Sequence, residues 1–409
     1  MNTVEIISQG DEVITGQTID TNAAWLSEQL VLLGFDVVRH STVPDRIADI
    51  EQVLKDASQR SDLVLCSGGL GPTDDDLTAE AVANVCAKKL VYDALAMGLM
   101  KGMFSRLNRK MVKANEKQVW LPEGATRIDN YWGTAPGFYL QLNRAMMAFL
   151  PGVPGEMKAM FEQELKPTLL KQFNLKPQKL VTFRTTGLGE SNLQEKIGKF
   201  SYQNVSLSYR AMGREVQVKL RFSPLCSTED YDTRCEAMRI TLSDCLFAIE
   251  GWGNEPEGCL ASVVAALLAE KHLSLTCAES ASAGAFVRLL NSSSQTVAPV
   301  KRAYFFEEGA DLAGMLHAPE SEGGNVNYFC LAKTLRETSQ SDLALIITEF
   351  EGVKDENDAL LVQRSQIYLV SKSEQLRIDD QVTGSKEYSQ HAISTAALNL
   401  LRSHLLRQG

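Results

Sequence analysis

The sequence predicts a multidomain α/β protein that begins with a parallel-sheet domain, and three observations support this prediction. At 409 residues the chain is too long for one ordinary hydrophobic core. Up to about residue 165, short apolar runs alternate with amphipathic segments in a βαβαβα rhythm. The pattern changes near residue 168 and again after residue 252. We therefore predict a parallel-sheet domain at 1–167, a small α+β segment at 168–252 and a second α/β domain at 253–409.

Short apolar runs and helical spacing place the elements of the first domain. One helix begins at Asp20 or Thr21, which can cap it, and Gly34 can end it. A turn at Asn143 and Arg144 separates the last two predicted strands. The predicted strands are residues 4–7, 35–38, 63–66, 137–142 and 145–150.

In the rest of the chain, short apolar runs typical of strands and helical spacing of apolar residues recur in a different order. In the middle segment we predict strands at 180–185, 205–209 and 216–222, and helices near 190–200 and 228–244. A Gly- and Pro-containing linker follows at 251–256. Beyond it we predict a helix at 260–270, strands at 273–278 and 343–348, and a terminal helix around 393–401.

Composition excludes several function classes. The net charge is −10 and the pI is near 5.2, which argues against a nucleic-acid partner because phosphate backbones need a basic face. The start of the chain shows no signal peptide, and no apolar run reaches membrane-spanning length, so we expect a cytoplasmic protein without a membrane partner. The eight cysteines form no C-x-x-C pair, which favours free thiols over a zinc site.

The strongest local signal is a glycine-rich turn between a strand and a helix, SGGLGPTDDDLT at residues 67–78. Glycines let the backbone approach a ligand and aim N–H groups at an anion. Three aspartates follow, although one carboxylate suffices to cap a helix and three repel a bare phosphate. His40 is the only histidine before residue 272, so a metal here would have oxygen ligands. We interpret the cluster as part of a divalent cation site, with helix capping alone as the alternative.

Two further signals follow other strands. The segment GDEVITGQ at 10–17, with Asp20, Thr21 and Asn22, comes after the first predicted strand and shares the sheet edge of the glycine turn. By itself it could be an ordinary polar turn. The third signal comprises Asn130, GTAPG at 133–137 and PGVPGE at 151–156, which the residues alone indicate only as tight turns.

The motifs GDEVITGQTIDTNA, SGGLGPTDDDLTAEA, GTAPGF and LPGVPGEM occur in order and together resemble the first domain of the CinA (competence/damage-inducible) family. That domain is similar to the molybdopterin-binding fold of MogA and MoeA. In the middle of the chain, TGLGESNLQEKI resembles the family's small KH-type segment. The resemblance extends over essentially the whole chain.

The resemblance implies metal-dependent hydrolysis of ADP-ribose to AMP and ribose 5-phosphate by the first domain. Asp76 falls where MogA-like domains place a functional aspartate, and Asp11 and Asp20 fall on the family's other acidic motif. We therefore expect Asp75 and Asp76 to be catalytic, and Asp11, Asp20 and Asp76 to bind a divalent ion of the Mg, Mn or Co class. The expected substrate-binding residues are Gly10, Asn22, Ser67, Gly68, Gly69, Gly71, Thr73, Gly133, Thr134 and Pro154.

For the third domain the resemblance implies deamidation of nicotinamide mononucleotide, but this chain departs from the family pattern. The family motif AESCTGG reads AESASAG here, with Ser280 retained and Ser282 at the threonine position. The family tyrosine and lysine fall on Glu307 and Leu312, and the TGxAGP loop falls on TEFEG at 348–352. A serine nucleophile needs a base, and leucine cannot serve. We expect a degenerate, inactive site; a shifted alignment using Lys301 is the alternative.

Three functions remain open at this point. The first is an ADP-ribose pyrophosphatase, the second a pterin-binding module without hydrolase activity, and the third a non-catalytic oligomeric scaffold. The expected partners are a small nucleotide such as ADP-ribose, or a pterin, and a second copy of the chain in a homodimer.

Overall fold

A computed structural model describes residues 2–293, 299–317, 326–354 and 361–407. The chain divides into two compact units, Met1–Lys179 and Leu180–Gly409. Each unit contains its own sheets and hydrophobic cores. The finer division at residues 167 and 252 stays a prediction.

The first unit is built on a six-stranded mixed sheet in the order β2-β1-β3-β8-β7-β6. β2, β1, β3 and β8 are parallel, whereas β7 runs antiparallel to both β8 and β6. The predicted hairpin is present and its turn contains Asn143 at φ +49°. The strands are β1 (Thr3–Gln9), β2 (Asp36–Val43), β3 (Leu63–Ser67), β4 (Leu90–Tyr92), β5 (Trp120–Pro122), β6 (Thr126–Ile128), β7 (Gly137–Leu142) and β8 (Ala145–Leu150), with β4 and β5 forming a separate pair.

Helices cover both faces of this sheet. Asp20 caps one of them by accepting the Ala23 N–H, and Gly34 ends it at φ +99°, as predicted. The α-helices are α1 (Asp11–Ile14), α2 (Thr21–Leu33), α3 (Ile47–Arg60), α4 (Thr78–Val85), α5 (Ala94–Arg106), α6 (Pro154–Met160) and α7 (Lys166–Gln172), with a 3₁₀ segment at Lys113–Val119 and a π turn at Phe161–Leu165.

Two cores lie on opposite faces of the sheet because strand side chains alternate. Leu63 and Leu65 of β3 pack with α2 and α6, and Val64 and Cys66 of the same strand pack with α3 and α4. β3 and β8 are buried along their whole length, which explains why their sequences read as continuous apolar runs.

The second unit contains two further sheets. The first, in the order β10-β11-β9-β12, comprises β9 (Lys179–Thr186), β10 (Val205–Met212), β11 (Glu215–Phe222) and β12 (Leu246–Glu250), with helices α8 (Glu190–Ile197) and α9 (Thr228–Thr241). These elements coincide with the predicted α+β segment.

The second sheet of this unit has the order β14-β13-β15-β17-β16, with β18 paired to β17. Its strands are β13 (Leu275–Glu279), β14 (Val300–Phe305), β15 (Leu343–Ile347), β16 (Glu351–Lys354), β17 (Leu361–Val370) and β18 (Gln375–Val382). The helices are α10 (Leu260–Glu270), α11 (Ala285–Ser292), α12 (Gly309–Met315), α13 (Tyr328–Thr338) and α14 (Lys386–Arg407). The predicted helix at 260–270 and strands near 273–278 and 343–348 are present.

All eight cysteines are free thiols. Burial raises the pKa of Cys66 and Cys277, and raises the pKa of Cys245 to about 11. Among the described residues, no helix is both long enough and apolar enough to cross a membrane.

Candidate functional site

The carboxyl ends of β1, β3 and β8 open onto a cleft of about 490 Å³ in the first unit. This volume lies in the range of small-molecule sites. The Gly68 N–H donates to the Leu150 carbonyl at 3.0 Å, and the Gly10 N–H donates to the Val43 carbonyl at 3.2 Å, so backbone bonds hold the strand ends together. The lining residues are Gln9, Gly10, Glu12, Asp45, residues 68–72, Asp75, Asp76, Gln118, Thr134, Ala135, residues 151–153 and Glu156.

The carboxylate of Asp76 points into the glycine turn and closes it. One oxygen accepts the Gly71 N–H at 2.7 Å. The other accepts the Thr73 N–H at 2.8 Å and the Thr73 hydroxyl at 2.5 Å. Both oxygens of Asp76 therefore accept hydrogen bonds from the loop, and the side chain fixes the backbone conformation of the glycine turn.

The glycines at 68 and 69 are required by the packing of this loop. They adopt φ +114° and +68°, which favour glycine. A Cβ at Gly68 would collide with the Gln9 carbonyl, and one at Gly69 would collide with the Gln9 side chain and the Thr78 hydroxyl. Gly69 and Leu70 both line the cleft, and among the described residues their amides have no internal hydrogen-bond partner, so both are free to donate to a ligand.

Gln9 joins the ends of two strands and the start of a helix in the floor of the cleft. Its Nε2 donates to Asp45 Oδ1 at 2.9 Å, and its Oε1 accepts the Thr78 hydroxyl at 2.5 Å. Gln9 is 7% exposed and Thr78 is 1% exposed, so a lost bond would leave a buried polar group unpaired. This bridge connects the ends of β1 and β2 to the start of α4.

The predicted metal ligands Asp11 and Asp20 do not line the cleft. The Asp11 N–H donates to Asp45 Oδ2 at 2.9 Å, and Asp11 Oδ1 accepts the Asp45 N–H at 3.2 Å, so these two aspartates cap each other's loops. Asp20 caps α2. Within the described ranges, no three His, Cys, Asp or Glu side chains form a group that could hold a metal.

Asn22 and Ser67 lie outside the cleft lining and hold its loops together through hydrogen bonds. Asn22 Nδ2 donates to Ser67 Oγ at 2.9 Å and to the Gly152 carbonyl at 2.8 Å, which joins α2 to the loops after β3 and β8. The Ser67 hydroxyl donates to the Pro151 carbonyl at 3.2 Å. Pro154 starts α6 and lies outside the lining.

The turns at Asn130, 133–137 and 151–156 come together at the carboxylate of Glu156. Asn130 Nδ2 donates to Glu156 Oε2 at 2.8 Å, and Asn130 Oδ1 accepts the Gly133 N–H at 2.8 Å. A Cβ at Gly133 would collide with the Glu156 carboxylate. Thr134 accepts a hydrogen bond from Gln118 Nε2 at 3.4 Å. These turns therefore hold Glu156 at the cleft wall.

The cleft is strongly acidic. In the part of the chain that the structure describes, its lining contains the carboxylates of Glu12, Asp45, Asp75, Asp76 and Glu156, and no Lys, Arg or His. An anionic ligand would therefore need cations to neutralise this wall.

Sequence reasoning missed Gln9, Glu12, Asp45, Gln118 and Glu156. A signal existed for Asp45, because it follows β2 and lies at the same carboxyl edge as the glycine turn. Glu12 and Glu156 stand inside quoted motifs, but spacing alone did not distinguish them from turn residues. Gln118 comes from a 3₁₀ segment and had no signal.

The family model described as "Probable molybdopterin binding domain" matches residues 5–171. A CinA-like protein of Shewanella halifaxensis is 31% identical over 417 residues, which cover 99% of this chain and 96% of the relative. The chain belongs to the CinA-like family. A second CinA-like protein, from Shewanella pealeana, is 30% identical over 415 residues and covers 98% of this chain and 96% of its own length. The crystal structure of CinA from Thermoplasma acidophilum shares 32% identity and covers 42% of this chain and 96% of that one, with a TM-score of 0.38.

The segment AESASAG at 278–284 surrounds a buried carboxylate. Glu279 is 1% exposed and accepts the Ser282 hydroxyl at 2.5 Å and the amides of Phe286 and Val287 at 3.2 and 3.0 Å. Burial raises the pKa of Glu279 despite these bonds. Ser282 is fully buried, so its hydroxyl holds the loop and does not face a substrate.

Ser280 lies beside an open hollow of about 790 Å³. Its hydroxyl donates to the Glu307 carbonyl at 3.1 Å. The charged residues that line this hollow in the described part of the chain are Glu307 and Asp311, both acidic. Leu312, at the family lysine position, is fully buried in an apolar core.

The alternative base, Lys301, lies far from Ser280. The register of β14 pairs Arg302 with Thr276 and Phe305 with Glu279. Lys301 is therefore near the opposite end of β13, on the order of 13 Å away along the strand. Its Nζ donates to the Gln340 carbonyl at 2.8 Å.

Proposed function

We propose that the first unit hydrolyses the pyrophosphate of ADP-ribose to AMP and ribose 5-phosphate with a divalent ion of the Mg, Mn or Co class. The observation that supports this most is the acidic cleft against a glycine turn that has two amides available for phosphate oxygens. The two amides would donate hydrogen bonds to oxygens of the doubly anionic pyrophosphate. The carboxylates would bind a cation that also contacts the phosphates.

The side chains of the cleft could bind such an ion through one or two carboxylates, with water and substrate completing its coordination. They offer only hard oxygen donors, and no preformed cage of three ligands exists among the described residues. Magnesium-class ions bind proteins through one or two carboxylates and complete their shell with water and substrate phosphate. Asp75 and Asp76 would hold the ion, which when bound neutralises phosphate charge and lowers the pKa of a coordinated water.

The chain's own groups would position the substrate. The amides of Gly69 and Leu70 would bind non-bridging phosphate oxygens, and Asp76 would keep the loop in the conformation that presents them. Glu156, held by Asn130, and Glu12 would accept hydrogen bonds from ribose hydroxyls. The oxygen of the attacking water would form a bond to one phosphorus and its proton would go to solvent. The bridging oxygen would stay on the other phosphate and take the electrons of the broken P–O bond.

The test is AMP release from ADP-ribose with Mg²⁺, Mn²⁺ or Co²⁺, with EDTA as the blank. We expect Asp75→Asn to lower the rate by roughly 10²-fold or more. The matched control is Asp74→Asn, an exposed neighbour outside the cleft lining, which should retain activity. Equal rates for the two variants, or full activity in EDTA, would count against the proposal.

A second candidate is a pterin-binding module without hydrolase activity, which the description of the matching family model favours. Titration with a pterin separates the two: saturable pterin binding without AMP release from ADP-ribose supports the second. The region 253–409 is proposed to lack deamidase activity, because the hollow beside Ser280 is acidic and Leu312 is buried.

A further inference from the structure

A groove lies between the two sheets of the second unit, and neither the proposed hydrolysis nor the hollow beside Ser280 involves it. Its volume is about 580 Å³, which lies in the range of small-molecule sites. The turns after β9 and β10 form one wall, and β18 with α14 forms the other. The α14 residues in the lining run from Ala396 to Arg407, which is roughly 16 Å along the helix axis, so the groove suits an elongated ligand.

An arginine joins the two walls at one end of the groove. Arg214 Nη1 donates to Asp380 Oδ1 at 2.6 Å, and its Nη2 donates to the Gln381 carbonyl at 2.7 Å. The Thr186 hydroxyl donates to the Arg214 carbonyl at 3.2 Å, which joins the two turns of the first wall. The other oxygen of Asp380, Oδ2, is buried and accepts no hydrogen bond from the described residues. Since buried polar atoms normally have a partner, this end of the groove lacks a donor that a ligand can supply.

A second arginine marks the other end of the groove. Arg407 is 64% exposed, and its ion pair with Glu374 Oε1 is 3.7 Å long, which is beyond hydrogen-bond distance. Glu374 immediately precedes β18 and is about 20 Å from Asp380 along the strand. Ser403, one helical turn before Arg407, also lines the groove. The guanidinium and this hydroxyl are therefore available to an anionic group.

The loop between β9 and α8 adds backbone donors to the lining. The amides of Gly187, Leu188 and Gly189 donate no hydrogen bond within the part of the chain that the structure describes, and no side chain caps α8. Glu190 follows them and is the one described carboxylate of the lining besides Asp380. It is exposed, so water and salt screen its repulsion of an anion.

Apolar side chains form the middle of the groove. They come from both walls and are Leu188, Val216, Ile378, Ala396 and Leu400. Covering them with an apolar ligand body removes apolar surface from water, which favours binding. The groove therefore combines unused donors, an apolar middle and an acceptor without a donor.

We propose that this groove, which we name the inter-sheet groove, binds an elongated organic carboxylate that has an apolar body and a hydrogen-bond donor at its far end. Arg407 and Ser403 bind the carboxylate through charge-assisted and hydroxyl hydrogen bonds, with the loop amides as further donors. The apolar body lies over Ile378 and Leu400, and the donor at the far end meets Asp380 Oδ2. This site is independent of the acidic cleft, because all of its residues belong to the second unit.

The test is titration calorimetry of the full chain with three related probes at low salt. The first is p-hydroxyphenylpropanoate, which has all three features. The second, p-hydroxyphenylpropanol, lacks the carboxylate, and we expect it to bind about tenfold more weakly or worse. The third, phenylpropanoate, lacks the phenolic hydroxyl, and we expect its affinity to be lower by about fivefold. A wild-type protein that binds none of the probes, or binds all three equally, overturns the proposal.

Arg407→Gln locates the binding in the groove. We expect this variant to lose about tenfold in affinity for p-hydroxyphenylpropanoate and to bind the alcohol probe as the wild type does, so that the preference for the carboxylate disappears. The matched control is Arg39→Gln, the same change at an exposed position of β2 in the first unit, which should keep the wild-type preference. An Arg407→Gln protein that still prefers the carboxylate, or an Arg39→Gln protein that loses the preference, overturns the assignment to the inter-sheet groove.

Discussion

Replacement of Asp76 by asparagine tests whether this side chain shapes the glycine turn or only binds metal. The carboxylate accepts three hydrogen bonds from Gly71 and Thr73. An asparagine would place its NH₂ group either opposite the Gly71 N–H or opposite the two Thr73 donors. At least one hydrogen bond is therefore lost. Hydrogen bonds to charged groups contribute about 1.5–3 kcal/mol each, and less where solvent reaches them. We therefore expect a loss of about 1–3 kcal/mol from this partly exposed turn.

The assay is done in EDTA, so that metal binding plays no part. For a unit of this size a loss of 1–3 kcal/mol lowers Tm by roughly 2–10 °C. Because the chain has two units, the melting transition of the first unit must be followed by itself. Amide exchange at Gly71 and Thr73 should become roughly tenfold faster, since these are the groups that lose an acceptor. Asp74→Asn is the matched control and should change neither quantity.

Gly71→Ala perturbs the same contact from the other side. A Cβ at Gly71 would lie 2.5 Å from Asp76 Oδ2 and would displace the carboxylate. The free energies of unfolding lost in the two single variants should therefore not add in the double variant. An Asp76→Asn protein with wild-type melting and exchange in EDTA would refute the loop-shaping role. Activity restored by excess metal would then indicate a ligand role alone.

Three other outcomes follow from the geometry. Thr78→Val should lower the free energy of unfolding by about 1–3 kcal/mol by urea titration, because the buried Oε1 of Gln9 loses its donor; an unchanged midpoint would contradict the bridge. Nicotinamide mononucleotide should give no ammonia, and turnover that disappears in Ser280→Ala would show that the deamidase survives. The raised pKa of Glu279 stabilises the fold below the ordinary carboxyl pKa, and this stability is lost as pH rises through the raised value. Glu279→Gln should therefore flatten the fall in unfolding free energy as the pH rises above the ordinary carboxyl pKa, and equal slopes would exclude this account.

The sequence alone was enough to predict five of the six strands of the first sheet, all but β6 (Thr126–Ile128), and the position of its glycine turn. β3 and β8 are continuous apolar runs, and Gly34 ends α2 at a positive φ, so local chemistry decides these features. The place of the turn at a carboxyl edge also follows from strand order, because parallel strands end at the same edge.

Which polar side chains meet at that edge was decided by the tertiary structure. Gln9 and Thr78 are 69 positions apart in the chain, and Asn22 and Gly152 are 130 apart. Such bonds depend on strand register and side-chain rotamers, which no local pattern encodes. Asp11 and Asp20, which the family resemblance predicts as metal ligands, lie outside the cleft because each caps a neighbouring loop or helix.

The second unit shows the same division between local and tertiary information. The sequence predicted that Ser280 follows a strand, which the structure confirms, and the family resemblance leads to the expectation that Leu312 occupies the family lysine position. Only the structure decided that Leu312 is fully buried and that Lys301 lies at the other end of β13. The physical reason is that local sequence encodes hydrophobic periodicity and backbone preference, whereas the distance between two side chains is set by the packing of all the elements between them.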